Sequence, residues 1–288
     1  MSAVLSRARS AEALLVLSAL CFGTLAIFGK LAYQSHLNVQ SLLGLRFAIA
    51  GVLLLGIALV RRRPMPAPRT LAALALLGAG GYVGQSAAYF NSIRYVPAAV
   101  TAILLYTYPA MVTVLSVPLY GARVTAARAA ALALALAGCA MVASPSGGLR
   151  WEGVLLGLLS AVVYSAYILA GKRLVEDVDA VTATAVVALS AGLTYLSFSL
   201  LTRSLVLPGD ERGWLAVAGI VVLATMIAAG AFLAGLRRTD PGRASLISTL
   251  EPVSTAALAA LVLGESLGPL QLVGGALVLL AVVLVSRA

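Results

Sequence analysis

Residues 156–172 read LGLLSAVVYSAYILAGK and residues 14–30 read LLVLSALCFGTLAIFGK, so two apolar stretches share a pattern 142 positions apart. The identical residues are Leu14, Leu17, Ser18, Ala19, Gly29 and Lys30, which recur as Leu156, Leu159, Ser160, Ala161, Gly171 and Lys172. A second match, at an offset of 143, joins Arg94, Pro109, Leu115 and Gly121 to Arg237, Pro252, Leu258 and Gly264. Because charged residues, proline and glycine seldom coincide by chance in apolar sequence, we interpret the chain as two copies of one unit.

The composition excludes an ordinary water-soluble globule. Of the 288 residues, 61% are apolar and 10% are charged, whereas a soluble domain has roughly 45–50% and about 25%. The net charge of +10 would suggest nucleic acid as the partner of a soluble protein. Here the basic residues lie between apolar runs, so we expect the lipid bilayer as partner and no nucleic acid. Cys21 and Cys139 lie inside apolar runs, and no metal site or cofactor is expected.

Apolar windows of about 20 residues, the length that crosses a hydrocarbon core of about 30 Å, fill most of the chain. Because they lack the alternation of barrel strands, they predict helices that satisfy their own backbone groups in lipid. The sequence therefore predicts an all-α integral membrane protein with ten transmembrane helices. These cover residues 11–33, 38–60, 70–92, 96–119, 125–144, 151–172, 180–202, 212–236, 243–264 and 268–286.

The basic residues predict the orientation, since the cytoplasmic side of a membrane protein collects Lys and Arg. Five lie on the predicted outer side, namely Lys30, Arg94, Arg150, Arg203 and Arg212. Fourteen lie on the other side, namely Arg7, Arg9, Arg61, Arg62, Arg63, Arg69, Arg123, Arg128, Lys172, Arg173, Arg237, Arg238, Arg243 and Arg287. Both termini are therefore predicted to be cytoplasmic.

Each copy has five helices, an odd number, so the second copy must enter the membrane from the opposite face. We predict two inverted repeats, residues 1–148 with helices 1–5 and residues 149–288 with helices 6–10, arranged around a central cavity. This architecture is typical of secondary transporters, whose substrate site lies near the midplane between the repeats. It is the basis on which the residues alone predict transport.

Tyr82, Gln85 and Tyr89 are spaced three and four residues apart in the third predicted helix, which places them on one face. We interpret this face as a wall of the substrate pathway, where the Gln85 amide can bind both the carboxylate and the ammonium of a zwitterion. Close helix packing through the surrounding small residues is the alternative. Other predicted pathway residues are Tyr106, Tyr108, Tyr164, Tyr167, Ser248 and Thr249.

Pro109 and Pro252 fall deep in the fourth and ninth predicted helices. Each proline removes one intrahelical hydrogen bond and tends to kink the helix, which frees carbonyl oxygens near the midplane. We predict a hinge there, or carbonyls that bind an ammonium group. A fixed structural bend is the alternative.

Arg46 is the deep base and Glu251 the deep acid of the predicted helices. Ionisable groups are costly in a membrane and mark functional sites by default. One interpretation makes the two residues a structural ion pair. The other makes Glu251 a site for a proton or for a substrate ammonium.

The segment LRRTDPGRASLISTLEPVSTAALAALV at 236–262, the LGES that follows at 263–266, and Gly44-Leu-Arg46-Phe resemble the drug/metabolite transporter superfamily, in its EamA-like branch. The resemblance implies ten helices, two repeats and cytoplasmic termini. The family's Glu after the Gly that ends the fourth helix is present as Gly264-Glu265, but the first copy has Gly121-Ala122. Within the branch, the chain is most similar to bacterial aromatic amino acid exporters, which implies the inner membrane.

We therefore predict a transporter that exports small metabolites, foremost amino acids including aromatic ones, by alternating access. The alternative is multidrug or lipophilic-cation efflux. Small multidrug exporters of the superfamily have a membrane-embedded Glu in the first helix, whereas Glu12 lies at the cytoplasmic edge of the first predicted helix. An enzyme is not expected, because the one histidine, His36, lies in a loop without a nearby cysteine or carboxylate pair. A monomer suffices, since ten helices can enclose a pathway.

Overall fold

The computed structural model describes residues 2–92, 95, 101, 104–143, 150–263 and 268–287. Within these ranges all regular secondary structure is helical. Parts of the predicted fourth, fifth and ninth helices lie outside them, as do Arg94, Gly264 and Glu265 and the side chains of Arg7, Arg9, Lys30 and Arg287.

The first half of the chain consists of helices joined by short turns. They are α1 (Ser2–Gly23), α2 (Leu25–Gln34), α3 (Val39–Val60), α4 (Pro68–Leu76), α5 (Val83–Ser92), α6 (Tyr108–Tyr120) and α7 (Ala126–Ala143). The π-helical turn Leu77–Tyr82 joins α4 to α5.

The second half has a similar order. It contains α8 (Trp151–Leu174), α9 (Ala180–Leu201), α10 (Glu211–Val221), α11 (Ala228–Leu236), α12 (Pro241–Ser248), α13 (Leu250–Leu263) and α14 (Pro269–Arg287). The π-helical turn Val222–Ile227 joins α10 to α11.

Local sequence explains where several helices begin and end. Asn38, Asp179, Asp210 and Asp240 each accept a hydrogen bond from a backbone N–H in the first turn of the helix that follows, namely α3, α9, α10 and α12. Gly121 ends α6 with a φ of +64°, the left-handed conformation that glycine adopts without strain.

Six helical stretches are long and apolar enough to cross a membrane. They are Ser10–Gln34, Val39–Val60, Pro68–Tyr89, Trp151–Leu174, Ala180–Leu201 and Glu211–Leu236. Three shorter apolar helices are Tyr108–Tyr120, Ala126–Met141 and Leu272–Leu284. The all-helical architecture is confirmed for the described part of the chain, whereas the count of ten membrane-spanning helices stays a prediction.

The helices are interrupted at corresponding places in the two halves. The two π-helical turns lie 145 positions apart, each within the third predicted helix of its half. The chain also leaves the helical path at Tyr106 and Thr107 and again at Thr249, 143 positions after Tyr106. These interruptions were not anticipated from the apolar runs.

The prolines lie just after two of these interruptions. Pro109 is the second residue of α6 and Pro252 the third residue of α13. In the first turn of a helix the backbone N–H has no intrahelical partner, so each proline is tolerated there. The predicted kinks are thus breaks located before the prolines, while the use of these breaks as hinges stays a prediction.

The core lies where helices of one half pack against helices of the other. The pairs in contact include α3 with α9, α7 with α14, α1 with α11, α5 with α8, and α6 with α12. The largest fully buried side chains include Leu15, Leu74, Ile168, Leu233, Leu236 and Leu246. Both halves are therefore needed to bury this apolar surface.

Glycines bring α3 and α9 into backbone contact. A Cβ added to Gly192 would lie 2.3 Å from the backbone nitrogen of Ala48, and one added to Gly51 would lie 2.6 Å from the Cα of Leu189. Only hydrogen fits at these two positions, which allows the helix axes to approach closely.

Loops rich in basic residues gather at one end of the bundle. Arg63 lies 3.6 Å from Asp179, and the Arg237 guanidinium donates a hydrogen bond of 3.1 Å to the Val178 carbonyl. Arg128 pairs with Asp240 at 2.8 Å at this same end. These loops belong to the set that the charge count assigns to the cytoplasm.

We expect Gly192→Ala to lower the free energy of unfolding by about 1–3 kcal/mol, the usual cost of overpacking, because the new methyl group would meet the α3 backbone. The matched control is Gly56→Ala on α3, where an added Cβ meets nothing within 4 Å. Melting temperatures of the purified variants in detergent would test this. Equal melting temperatures for the two variants would contradict the proposed close contact.

Candidate functional site

Seven aromatic rings form a continuous row inside the bundle. Ring centroids lie 6.3 Å apart for Tyr195 and Phe47, 5.0 Å for Phe47 and Tyr82, 5.3 Å for Tyr82 and Tyr167, 5.9 Å for Tyr167 and Tyr164, 4.8 Å for Tyr164 and Tyr108, and 6.1 Å for Tyr108 and Tyr106. These spacings are typical of interacting aromatic pairs. Five of the seven are tyrosines predicted to face the pathway.

The row joins elements from both halves. Tyr82 ends the first π-helical turn, and Tyr164 and Tyr167 lie on α8. Tyr106 lies in the break before α6, and Tyr108 begins that helix. The opened turns of the first half thus present their rings to a continuous helix of the second half.

A small cavity of about 20 Å³ lies against one part of this row. Its lining residues are Phe47, Tyr82, Tyr167, Thr184, Val187, Ala188, Thr225, Ala229 and Leu233. This volume holds about one water molecule. The space between these described residues is therefore too small for a metabolite in this conformation.

Arg46 lies beside this cavity and is 3% exposed. Its Nε donates a hydrogen bond of 2.7 Å to Thr225 Oγ1, and its Nη2 donates one of 2.9 Å to the Ala224 carbonyl. Its guanidinium carbon also lies 4.6 Å from the centroid of the Phe47 ring. A base of the first half is thus bound to the π-helical turn of the second half.

The π-helical turn makes the Ala224 carbonyl available. In an α-helix this carbonyl would accept from the N–H of Ala228, but that N–H donates instead to the carbonyls of Leu223 and Thr225. Arg46 supplies the replacement donor. The widened turn therefore creates an acceptor for a buried cation.

Glu251 lies in the first turn of α13 and faces the Tyr106 hydroxyl, at the far end of the aromatic row. Arg46 is close enough to act on Glu251 electrostatically. In the described part of the chain, however, no nitrogen of Arg46 approaches a Glu251 oxygen within 4.0 Å. The direct ion pair, one of the two interpretations of the sequence, is not formed in this conformation.

Gln85 connects α5 to α8. Its Nε2 donates a hydrogen bond of 3.2 Å to Ser160 Oγ, and its Oε1 accepts one of 3.3 Å from Ser86. Tyr89 lies one turn further along α5 and is partly buried. Two members of the predicted wall, Tyr82 and Gln85, therefore contact α8 in this conformation.

Ser248 and Thr249 satisfy the backbone at the break between α12 and α13. The Ser248 hydroxyl donates to the Ala244 carbonyl at 3.0 Å, and the Thr249 hydroxyl donates to the Leu246 carbonyl at 2.6 Å. The Tyr108 hydroxyl reaches the same helix, at the Ser245 carbonyl. Both predicted residues thus lie near the aromatic row with their donor capacity in use.

Ion pairs hold the start of α12 at the basic end of the bundle. Asp240 accepts a hydrogen bond of 2.9 Å from the backbone N–H of Arg243 and pairs with Arg128 of α7. Arg243 pairs with Glu12 of α1. Two ion pairs therefore fasten α12 to two helices of the first half.

Among the described residues, His, Cys, Asp and Glu side chains do not form a group of three or more that could hold a metal ion. The polar groups of the site are instead an arginine, a carboxylate, hydroxyls and an amide. Such groups can bind the charged and polar parts of a small organic molecule.

The sequence profile of the EamA-like transporter family matches this chain twice, over residues 9–144 and 151–287. The chain belongs to the EamA-like transporter family. It is therefore a multi-pass membrane transporter. The two matches divide the chain near the predicted boundary between residues 148 and 149.

Several relatives cover most of the chain. The uncharacterized inner membrane transporter YedA of Escherichia coli K12 is 27% identical over 282 residues, which are 95% of this chain and 91% of YedA. An uncharacterized transporter of Archaeoglobus fulgidus is 30% identical over 279 residues, 97% of each chain. The aromatic amino acid exporter YddG of Ancylobacter novellus is 28% identical over 218 residues, 74% of this chain and 75% of YddG.

A solved crystal structure of another protein shares the fold. The two superimpose with a TM-score of 0.84 over 96% of each chain, at 22% sequence identity.

Sequence reasoning missed Phe47, Tyr195 and Thr225 as members of this candidate site. Phe47 follows Arg46 directly and Tyr195 lies in an apolar helix, so only the fold brings them to Tyr82. The run GAGGYVG at 78–84 signals an unusual turn in the first half. The counterpart at 222–227, VLATMI, carries no such signal.

We expect Tyr167→Leu to lower the melting temperature, because Tyr167 contacts two rings of the row and each aromatic pair contributes about 0.5–1.5 kcal/mol beyond its buried area. Tyr167→Phe keeps both rings in contact and is the matched control. Thermal unfolding in detergent measures both variants. If the Tyr167→Leu and Tyr167→Phe variants had the same melting temperature, the contacts of the Tyr167 ring would not stabilise the fold.

Proposed function

We propose that this EamA-like transporter exports amino acids, including aromatic ones, by alternating access. The observation that carries the proposal is the row of seven rings with Arg46 near one part of it and Glu251 at its end. Tyrosine rings stack on aromatic side chains and attract ammonium groups, so one surface serves both parts of such a substrate. The name of the relative YddG, an aromatic amino acid exporter, supports the same substrate class.

The proposal assigns a role to each predicted residue. Tyr82 and Gln85 contact the substrate once α5 and α8 separate, with Tyr89 at the edge of the opened wall. Tyr106, Tyr108, Tyr164 and Tyr167 form the aromatic surface. Glu251 binds the substrate ammonium or a proton, while Ser248 and Thr249 offer oxygens at the break before Pro252.

The proposed framework is two inverted repeats, residues 1–148 and 149–288, crossing the membrane ten times. The matched π-helical turns, the matched breaks before Pro109 and Pro252, and the two family matches support it. We place both termini in the cytoplasm of a bacterial cell, with the chain in the inner membrane. The gathering of basic loops at one end supports this orientation.

Multidrug or lipophilic-cation efflux is the second candidate. Aromatic rings beside a carboxylate attract organic cations by the same physics. Arg46 disfavours it, because a buried positive charge beside the cavity repels a cation. The two candidates therefore differ in whether a substrate carboxylate is needed.

Counterflow in liposomes that contain only the purified protein tests the substrate class. We expect labelled phenylalanine to accumulate when the vesicles are preloaded with phenylalanine or threonine, but not with a UDP-sugar or a quaternary ammonium ion. Tyr82→Leu and Gln85→Leu should each reduce this accumulation by roughly tenfold or more, since each removes a contact to the substrate. Leu76→Ala on α4, a side chain that is 72% exposed, is the control and should transport normally.

If only the quaternary ammonium ion gave counterflow, the proposal of amino acid export would be wrong and cation efflux would take its place. Counterflow by none of the four compounds would overturn the amino acid proposal. Membership of the transporter family would not be affected by either result.

Alternating access also needs a closed gate, and the start of α12 provides one at the basic end. The Arg128–Asp240 and Arg243–Glu12 pairs connect α12 to α7 and α1. Opening toward the cytoplasm would separate these pairs. The buried cavity would then become continuous with that side of the membrane.

We expect Arg128→Gln to shift the carrier toward the state open at this end by severalfold, since about 1 kcal/mol changes such an equilibrium about fivefold. The measurement is the rate at which a membrane-impermeant maleimide, added from the cytoplasmic side, labels a Ser248→Cys reporter in a background without Cys21 and Cys139. Arg123→Gln, an exposed position with the same charge change, is the control. Equal labelling of the two variants would exclude this pair as a gate.

A further inference from the structure

The described groups in direct contact with the buried cation Arg46 are all neutral, whereas Glu251 acts on it from a greater distance. They are the Thr225 hydroxyl, the Ala224 carbonyl and the Phe47 ring. Within the part of the chain that the structure describes, none of its nitrogens lies within 4.0 Å of a carboxylate oxygen. A charge held in the membrane with no carboxylate in direct contact is costly, so the Arg46 guanidinium can gain by binding an anion.

The hydrogen-bond geometry of the guanidinium fits a carboxylate. Arginine presents five N–H donors in a planar fork that matches the two oxygens of a carboxylate. Charge-assisted bonds of this kind are roughly twice as strong as bonds to neutral acceptors. A carboxylate that enters the site can therefore compete with the hydroxyl of Thr225 and the carbonyl of Ala224.

The neutral partners of Arg46 also border the space that a substrate would enter. Thr225 lines the small cavity together with Phe47 and Tyr82. Tyr82 also faces the Arg46 guanidinium. A carboxylate in an enlarged cavity would meet the same donors that now hold the π-helical turn.

The Thr225 hydroxyl keeps a hydrogen-bond partner when Arg46 moves away. Its hydroxyl donates a hydrogen bond of 2.9 Å to the Ile220 carbonyl, and this bond does not involve the arginine. The Ala224 carbonyl can return to a helical donor if the π-helical turn rewinds. The two acceptors in the second half therefore keep or regain a hydrogen bond when Arg46 binds another acceptor.

We propose that Arg46 is the carboxylate receptor of this transporter, and that it exchanges Thr225 and Ala224 for the substrate carboxylate. The exchange frees the turn Val222–Ile227 from α3. Because the substrate binds more tightly where this bond is broken, binding shifts the carrier toward the state in which the two halves are separated. This inference rests on the proposed function and adds the group that recognises the substrate and the contact that couples binding to motion.

Thr225→Val tests the exchange directly, since it removes the competing hydroxyl and keeps the shape of the side chain. We expect the half-saturating concentration of phenylalanine in counterflow to fall severalfold, with that of phenylalaninamide, which lacks the carboxylate, unchanged. The matched control is Thr184→Val, which also lines the cavity but donates to the Ala180 carbonyl of its own helix. An unchanged or higher half-saturating concentration of phenylalanine in Thr225→Val would overturn the exchange.

Arg46→Gln tests the receptor. We expect the wild-type protein to prefer phenylalanine over phenylalaninamide, and the variant to lose this preference by roughly tenfold or more, the effect of losing a bond to a charged group. Arg46→Lys should keep part of it, because it retains the charge without the fork. A preference that survives in a folded Arg46→Gln variant would overturn the assignment, and if that variant does not fold, the Thr225→Val comparison decides.

The compound 3-phenylpropionate, which has the carboxylate and no ammonium, separates this inference from the proposed function. If the wild-type protein carries 3-phenylpropionate in an Arg46-dependent manner but carries no amino acid, the amino acid proposal fails and the carboxylate receptor stands. If it carries phenylalanine and phenylalaninamide equally well, the receptor is overturned and amino acid transport stands.

Discussion

Every backbone N–H and carbonyl in the hydrocarbon region must find a partner inside the protein, and this constraint governs where the helices of the chain can open. At Val222–Ile227 the Ala228 N–H leaves Ala224, and Arg46 takes its place. At the break between α12 and α13 the Thr249 hydroxyl donates to the backbone. Both openings lie where the two halves meet. The interruptions that help to build the candidate site are therefore at places where side chains can hydrogen-bond the backbone groups that the helix leaves without a partner.

The environment of the two charged residues, Arg46 and Glu251, follows from the same constraint. Arg46 and Glu251 are costly in the membrane, and in the described conformation they act on each other from a distance while neutral groups contact each of them directly. Aromatic rings lie between them and contribute apolar area with polar hydroxyl tips. Such a surface is poorly matched to an empty, dry interior and well matched to a small molecule that carries both charges and a ring.

Packing divides the bundle into parts of different rigidity. The backbones of α3 and α9 touch at Gly51 and Gly192, and α7 contacts α14 in a similar way at Gly138. Close packing of this kind resists sliding. The helices that carry the π-helical turns and the breaks lack some regular intrahelical hydrogen bonds, so the proposed movement between closed and open states is expected in these helices. The ion pairs of Asp240 and Arg243 would open and close at the basic end of the bundle.

Because apolar length and spacing act locally along the chain, the residues alone predicted the all-helical class, the two related halves and five of the seven rings that the fold brings together. The sequence also identified Arg46 and Glu251, since charges in apolar runs are conspicuous. It did not determine their partners: Phe47, Tyr195 and Thr225 reach the site from other helices, and VLATMI at 222–227 carries no sign of a widened turn. That Arg46 hydrogen-bonds to this turn and not to Glu251 is visible in the three-dimensional fold alone, because the contact depends on how closely α3 and the turn approach each other across the bundle.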